Sequence, residues 1–462
     1  MIQKLVIASV FSFFLSVILI QCKKPGKDYN PEILADTMEY LLKKNILEAW
    51  YPASIDSVDG GFLSDLSYNW KPVGDQSKTL VCQARHLWTC SQAAFFLNDP
   101  EFAKLAYYGF RALKEYLRDS TYGGFFTNTS MNWSIPEHEQ GLEKYAYGQA
   151  YAIYALTAYF NATGDSAALQ LAQETFHWLD KFSHDSTYKG YFNILLRNGS
   201  KKFESVRYLP NEAADRSGWK DMNSSIHLLE AFSELYKVWP DTLVKTRLEE
   251  MFHLIRDTII RSDGYMDLYF TTNWKPISFA DSSKAFIMEN FFYDHVSFGH
   301  DIETAFLLLE ASHVLGSEND TITLQITKKV VDHSLETGWD NERGGFYYGG
   351  YYFDNSENIS IVDKTKQWWV QAEGLNTLLI MSKLFPEETR YRELFLKQWK
   401  YIGKYLIDHE YGGWYQAGLD INPESKFQPK ANIWKVNYHT MRAMMNCIQL
   451  LRDEHELITT AM

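Results

Sequence analysis

Cysteine is nearly absent from this chain of 462 residues: there are four, with no Cys-x-x-Cys pair and no Cys/His cluster at metal-ligand spacing. That excludes a disulfide framework and gives no sign of a metal centre. Positive charge is short as well, with 45 Lys and Arg against 58 Asp and Glu and a net charge of −13. A protein that tracks nucleic-acid phosphates needs a clustered basic surface, so no nucleic-acid partner is expected. A hydrophobic fraction of 46% and a mean hydropathy of −0.32 fit a soluble globular protein with a large core, not a disordered or multi-spanning one. Aromatic residues are what the chain has in excess: 14 Trp, 30 Tyr and 29 Phe make up 16% of it. Their flat faces suit sugar rings and equally suit ordinary cores.

The N-terminus reads as a sorting signal. Lys4 gives a positive start and Leu5 to Ile20 is apolar apart from small serines, which is short for a membrane span. The run ends at Leu19-Ile20-Gln21-Cys22, which resembles the lipobox of a bacterial lipoprotein, with Cys22 as the lipidated residue; Gln21 departs from the usual small residue before that Cys. An uncleaved anchor or a cut elsewhere are the alternatives. The expectation is an exported, periplasmic or cell-envelope lipoprotein: residues 1–22 signal, 23–30 tether, and 31–462 one domain. Cys82, Cys90 and Cys447 remain, and core packing is their expected role.

A glycine turn followed by an aromatic recurs six times, at Gly60-Gly61-Phe62, Gly123-Gly124-Phe125, Gly190-Tyr191-Phe192, Gly264-Tyr265, Gly344-Gly345-Phe346 and Gly412-Gly413-Trp414. The spacings are 63, 67, 74, 80 and 68 residues, room for two helices each. Tyr147 to Phe160 is Ala-rich and apolar on nearly all sides, as a helix buried all round would be. Ser166 to Phe182 alternates apolar and charged residues at helical spacing, as an outer helix with one wet face would. Between them Gly164 supplies a stop, and Asp165 or Ser166 is available as the next cap. Six inner–outer pairs closing on themselves predict an all-α (α/α)6 toroid, with short β-hairpins at one rim formed by the glycine turns.

In such a ring a site is sought where unusual polar residues gather at one end of the inner helices. Arg85, Gln149, His227, His300, Trp369 and His439 fall 25 to 37 residues after the successive first glycines, which predicts one shared mouth. Glu230 follows His227 and Glu303 follows His300 at i+3, so each carboxylate is expected on the face of its ring. Two histidines facing one carbon from opposite sides can remove a proton and return it to either face, and Arg85 could hold the charge that develops on oxygen. Trp368, Trp369, Trp414, Trp434 and Tyr438 add aromatic faces. Asp215, Asp301 and Glu373 are acidic candidates, but nothing singles out the carboxylate pair a glycoside hydrolase would need.

Six blocks carry a resemblance over nearly the whole chain: QARHLWTCS, YGQAYAIYAL, MNSSIHLLEAFSELY, GHDIETAFLLLEA, KQWWVQAEG and IWKVNYHTMRA. In this order they resemble the acylglucosamine 2-epimerase superfamily, and most closely its cellobiose 2-epimerases. The resemblance implies metal-free, cofactor-free epimerisation of a reducing-end aldose through a cis-enediolate. It implies His300 and His439 as the C2 acid/base pair, His227 for ring opening or substrate holding, and Glu303 in support of His300. Arg85, Tyr147, Asn223, Asp215, Trp369 and Trp434 match sugar-pocket positions, and Trp414 is read as a further aromatic face there. Ser225 stands where the family has a second histidine, and Val436 to Met441 departs from its usual final motif. The partner implied is a mono- or oligosaccharide, with membrane contact only through the lipid anchor, and the chain is expected to be a monomer. An aldose–ketose isomerase, an (α/α)6 glycoside hydrolase and a non-catalytic glycan-binding lipoprotein are the competing readings.

Overall fold

The computed structural model describes residues 30–137, 142–201, 218–317 and 320–452. The expected signal segment 1–22 with Cys22, the tether before Asn30, and Asp215 lie outside them. Twelve helices alternate between outer and inner positions. The outer ones are α1 (Pro31–Leu41), α3 (Pro100–Arg111), α5 (Ser166–Phe182), α7 (Thr242–Leu254), α9 (Thr321–Thr337) and α11 (Thr389–Tyr405). The inner ones are α2 (Leu80–Leu97), α4 (Ala146–Thr163), α6 (Met222–Val238), α8 (Phe298–Val314), α10 (Trp368–Leu384) and α12 (Tyr438–Arg452). Each inner helix packs on the next, and α12 returns to α2 and α1, closing the (α/α)6 ring.

The local chemistry accounts for the boundaries. α4 ends where Gly164 takes φ 73°, and α5 starts where the Asp165 side chain accepts from the Ala167 amide. α4 is buried along nearly its whole length, whereas α5 keeps a wet face. Cys82, Cys90 and Cys447 are free thiols in the core. No helix among the described residues is long and apolar enough to cross a membrane.

The glycine turns line one rim, where two-residue strands pair antiparallel just before the inner helices, as in Lys78–Thr79 with Asn128–Thr129. At Gly61 (φ 67°) a Cβ would lie 2.7 Å from Gln83 Oε1 and 2.8 Å from the Trp133 ring, so only glycine fits. Two devices repeat around this rim. A glutamine near the start of an inner helix exchanges two hydrogen bonds with the backbone of the turn's aromatic residue: Gln83 with Phe62, Gln149 with Phe125, Gln371 with Phe346. A buried lysine reaches an aspartate at the foot of the turn: Lys78–Asp56 at 2.6 Å, Lys144–Asp119 at 2.9 Å, Lys220–Asp185 at 2.8 Å, Lys366–Asp340 at 2.7 Å and Lys430–Asp408 at 2.6 Å. Indoles tie neighbouring turns together: Trp133 Nε1 donates to the Asp59 carbonyl, Trp274 to Tyr188 and Trp70 to Tyr411.

Candidate active site

The ring delivers its unusual polar residues to one place because each inner helix begins at the same rim. Arg85, Gln149, His227, His300, Trp369 and His439 all lie within the first six residues of the six inner helices. Gln149 is spent on its turn, as above. The other five form two arms.

In the first arm, Arg85 donates from Nη2 to the Tyr147 and Tyr151 hydroxyls at 3.0 and 2.8 Å, and from Nη1 to the Trp434 carbonyl at 2.7 Å. Asn223 reaches the Tyr147 hydroxyl. Tyr151 lies 3.2 Å from His227 Nε2, and His227 Nδ1 lies 3.0 Å from Glu230 Oε2. An ionised carboxylate only accepts, so Nδ1 carries the proton and Nε2 accepts from Tyr151. Burial would raise the Glu230 pKa, but the Arg442 charge and the His227 and Tyr438 hydrogen bonds bring it down to about 2. Both nitrogens of His227 are therefore engaged. Trp434, 52% exposed, offers the only widely open indole face among the site residues.

In the second arm, Trp369 lies between the other two histidines, its ring 4.8 Å from His300 and 5.7 Å from His439. Its Nε1 donates to Gln367 Oε1 at 3.0 Å, fixing the ring. Nδ1 of His300 is 2.7 Å from Ser297 Oγ, and Nδ1 of His439 is 2.7 Å from Glu373 Oε1. That Oε1 already accepts from Arg442 at 2.7 Å, so His439 Nδ1 donates and its Nε2 lone pair is left without a hydrogen bond among the described residues. Burial pushes His300 down to about 3, with the nearby His227 adding to the effect, and burial drives His439 well below the ordinary range. Both are neutral imidazoles at neutral pH.

The structure corrects the expected role of Glu303. Its carboxylate accepts from Arg442 and lies 3.8 Å from His439 Nδ1, whereas His300 leans on Ser297. The i+3 spacing is right for His227 and Glu230, but on α8 the Glu303 side chain is drawn to the barrel axis by the guanidinium. Trp414 is also corrected: it is 3% exposed within the core, without a ring contact to the histidines among the described residues, and fills volume. Sequence reasoning passed over Tyr151, Ser297 and Arg442. The signal for Arg442 was present, since it lies at i+3 from His439 and is the one Lys, Arg, Asp or Glu of this inner helix before the terminal Arg452. Glu303, Glu373 and His439 hold donor atoms within 4.8 Å of one another, a set able to hold a cation, and Arg442 already donates to both carboxylates there.

The family described as N-acylglucosamine 2-epimerase (GlcNAc 2-epimerase) matches residues 60–443. A cellobiose 2-epimerase of Bacteroides fragilis is 28% identical over 425 residues, covering 91% of this chain and 100% of that one. A cellobiose 2-epimerase of Ruminococcus albus is 30% identical over 407 residues, covering 85% and 93%. Among solved structures, the cellobiose 2-epimerase of Spirochaeta thermophila superposes with a TM-score of 0.77 at 28% identity, covering 91% of this chain and 97% of its own.

Proposed function

This chain belongs to the N-acylglucosamine 2-epimerase family, and from that premise we propose that its second arm inverts C2 of a reducing-end aldose. It is a carbohydrate 2-epimerase, an isomerase on an (α/α)6 scaffold. The substrate we assign is cellobiose, mannobiose or the monosaccharides glucose and mannose, in the open-chain form. The observation that carries this reading is the pair of neutral histidines, His300 and His439, flanking one indole, each with Nδ1 held and Nε2 left without a hydrogen bond among the described residues.

One imidazole takes the C2 proton; the other takes up a proton from solvent as the enediolate forms and gives it to the opposite face, after which the first releases its proton to solvent, and the two exchange roles with direction. The negative charge of the enediolate favours the protonated imidazole that burial otherwise disfavours. Arg85 and the positive ends of the inner helices stabilise that charge. His227, with both nitrogens engaged, holds Tyr151 and through it Arg85.

The test is proton NMR of the purified protein in heavy water with cellobiose, mannobiose, glucose, mannose and N-acetylglucosamine. Loss of the C2 proton signal with appearance of the epimer supports the reading and names the sugar. A ketose product instead assigns reprotonation to C1, and two sugars from one assign hydrolysis. Unchanged sugars with folded protein overturn the catalytic reading.

From Leu19-Ile20-Gln21-Cys22 we also propose that the chain is exported and acts as a monomer tethered by lipid on Cys22. Metabolic labelling with a fatty acid, lost in Cys22→Ser, tests the anchor, and sedimentation tests the monomer.

A further inference from the structure

Each arm of the site leans on a carboxylate, and those carboxylates share one cation. Arg442, on α12 and 2% exposed, donates from Nη1 to Glu230 and the Tyr438 hydroxyl, and from Nη2 to Glu303 and Glu373. Glu230, Glu303 and Glu373 come from α6, α8 and α10, so one guanidinium on the axis joins four consecutive inner helices. The Tyr438 hydroxyl in turn donates to Glu230.

Two chains of hydrogen bonds run outward from that point. One goes through Glu373 Oε1 to His439 Nδ1. The other goes through Glu230 to His227, Tyr151 and Arg85. In both, a guanidinium that can only donate forces the carboxylate to accept, and the carboxylate forces its histidine to carry the proton on Nδ1. The direction of each later hydrogen bond in these two chains is thereby set from one end. We propose that Arg442 is a positioning residue for C2 proton transfer: by fixing the Nδ1–H tautomer of His439 it keeps that histidine's Nε2 lone pair turned to the substrate, and by fixing His227 it keeps Tyr151 and Arg85 in place. This rests on the two-histidine reading above.

A merely structural cation would also be needed here, because three buried carboxylates without one are costly. The two roles differ in what a substitute must preserve. Neutralisation needs only charge, whereas tautomer control needs the planar fork that reaches Glu230 and Glu373 at once. Lysine carries the charge but not the fork. Arg442→Met together with Glu303→Gln removes one charge of each sign and leaves the cluster's net charge as it was.

The experiment measures the His439 tautomer by nitrogen-15 NMR in substrate-free protein, together with C2 exchange across pH, for the wild type, Arg442→Lys, Arg442→Met and Arg442→Met/Glu303→Gln. Expected are an Nδ1–H His439 in the wild type, a mixed tautomer in folded variants, and a loss of C2 exchange of about a hundredfold with an altered pH profile. A folded variant with the wild-type tautomer and pH profile overturns the proposal, as does failure of all three variants to fold, which would leave Arg442 a structural cation. If Arg442→Met alone does not fold, the other two decide. Because the tautomer is read without sugar, a wild type inactive on every sugar would overturn the reaction assigned above while this measurement still decides the role of Arg442.

Discussion

The fourth rim turn and the other five are built from the same repeat but not by the same rules. Five turns carry a buried lysine–aspartate pair. In the fourth, Ile260 bridges Met266 where Ile55 bridges Phe62 in the first, and the turn is one residue shorter. Arg261 then stands at the aspartate position and turns away to Asp263 and Asp267, and Val296 stands at the lysine position, paired to Gly350 as Lys78 is to Thr129. Asp301 stands where three of the other turns have their glutamine and holds only the Met266 amide, with its second oxygen unpartnered. This least regular turn leads into α8, which carries His300. Groups that recur in the ring are scaffold; the chemistry sits where recurrence stops.

The largest effect expected separates these two kinds of buried polar group. His300→Ala and His439→Ala should each lower C2 exchange by about 10²- to 10⁴-fold or more, with unfolding free energy changed by no more than about 1 kcal/mol, since neither ring completes a buried ion pair. Exchange rates and urea melts on the same preparations check this. Retained exchange in either variant would sink the assigned pair.

The reverse pattern is expected at a latch. Lys78→Met leaves the Asp56 carboxylate, 2% exposed on its side chain, with only the Val58 and Asp59 amides. Breaking one partner of such a pair costs about 3–5 kcal/mol, with turnover per folded molecule unchanged. Adding Asp56→Asn, which keeps the acceptor for both amides and removes the charge, should recover at least half of that loss. If the double variant is no better than the single one, the pair's charge is not what the turn needs, and the fourth turn, which lacks the lysine–aspartate pair, loses its value as a natural control.

Acidification should resolve the two regions by pH window. His300 has a folded pKa of about 3 against an unfolded value near 6.5, so the unfolded chain takes up its proton first and stability falls as pH drops from about 6.5 toward 3. Asp119 is raised by burial but held down to about 2 by Arg197 and Lys144, so its contribution is lost lower, as pH falls from about 3.8 toward 2. His300→Gln should flatten the upper part of a stability–pH curve and leave the lower part. The acid limb of kcat/KM should also lie below the ordinary histidine range; a limb centred at 6.5 would contradict the burial of the pair.

How much of this was legible follows from the same distinction. The six glycine turns and the Ala-rich inner helices repeat along the chain, and they gave the toroid, the α4–α5 boundary at Gly164 and Asp165, and the mouth at the inner-helix starts. The latches repeat as well, four of the five as a lysine two residues before an inner helix, but a lone lysine reads as surface until its partner 22 to 35 residues away is known. Side-chain direction was the harder part. Spacing put Glu303 on the face of His300, but two residues of another helix, Arg442 and His439 on α12, decide where that carboxylate points. Of the aromatics in which the chain is rich, Trp70, Trp133 and Trp274 serve as staples between turns. Composition cannot tell a staple from a platform.

The smallest expected effect tests the fourth turn itself. The Gly123-Gly124-Phe125 turn is held by Lys144 on Asp119 and on the Gly123 carbonyl, by Gln149 on both sides of Phe125 and by Trp178 on Tyr122. At Gly264-Tyr265-Met266 the corresponding inner-helix contact is one acceptor, Asp301, and the lysine is a valine. Local opening draws on the contacts of the segment that opens, so losing a charged pair and half of a two-bond staple should lower the opening free energy by about 1–2 kcal/mol. Amide hydrogen exchange at Met266 should then run about tenfold faster than at Phe125 under native conditions. Equal protection at the two amides would mean that apolar packing around Val296 replaces the latch in full, and the fourth turn would differ from the rest in chemistry but not in stiffness.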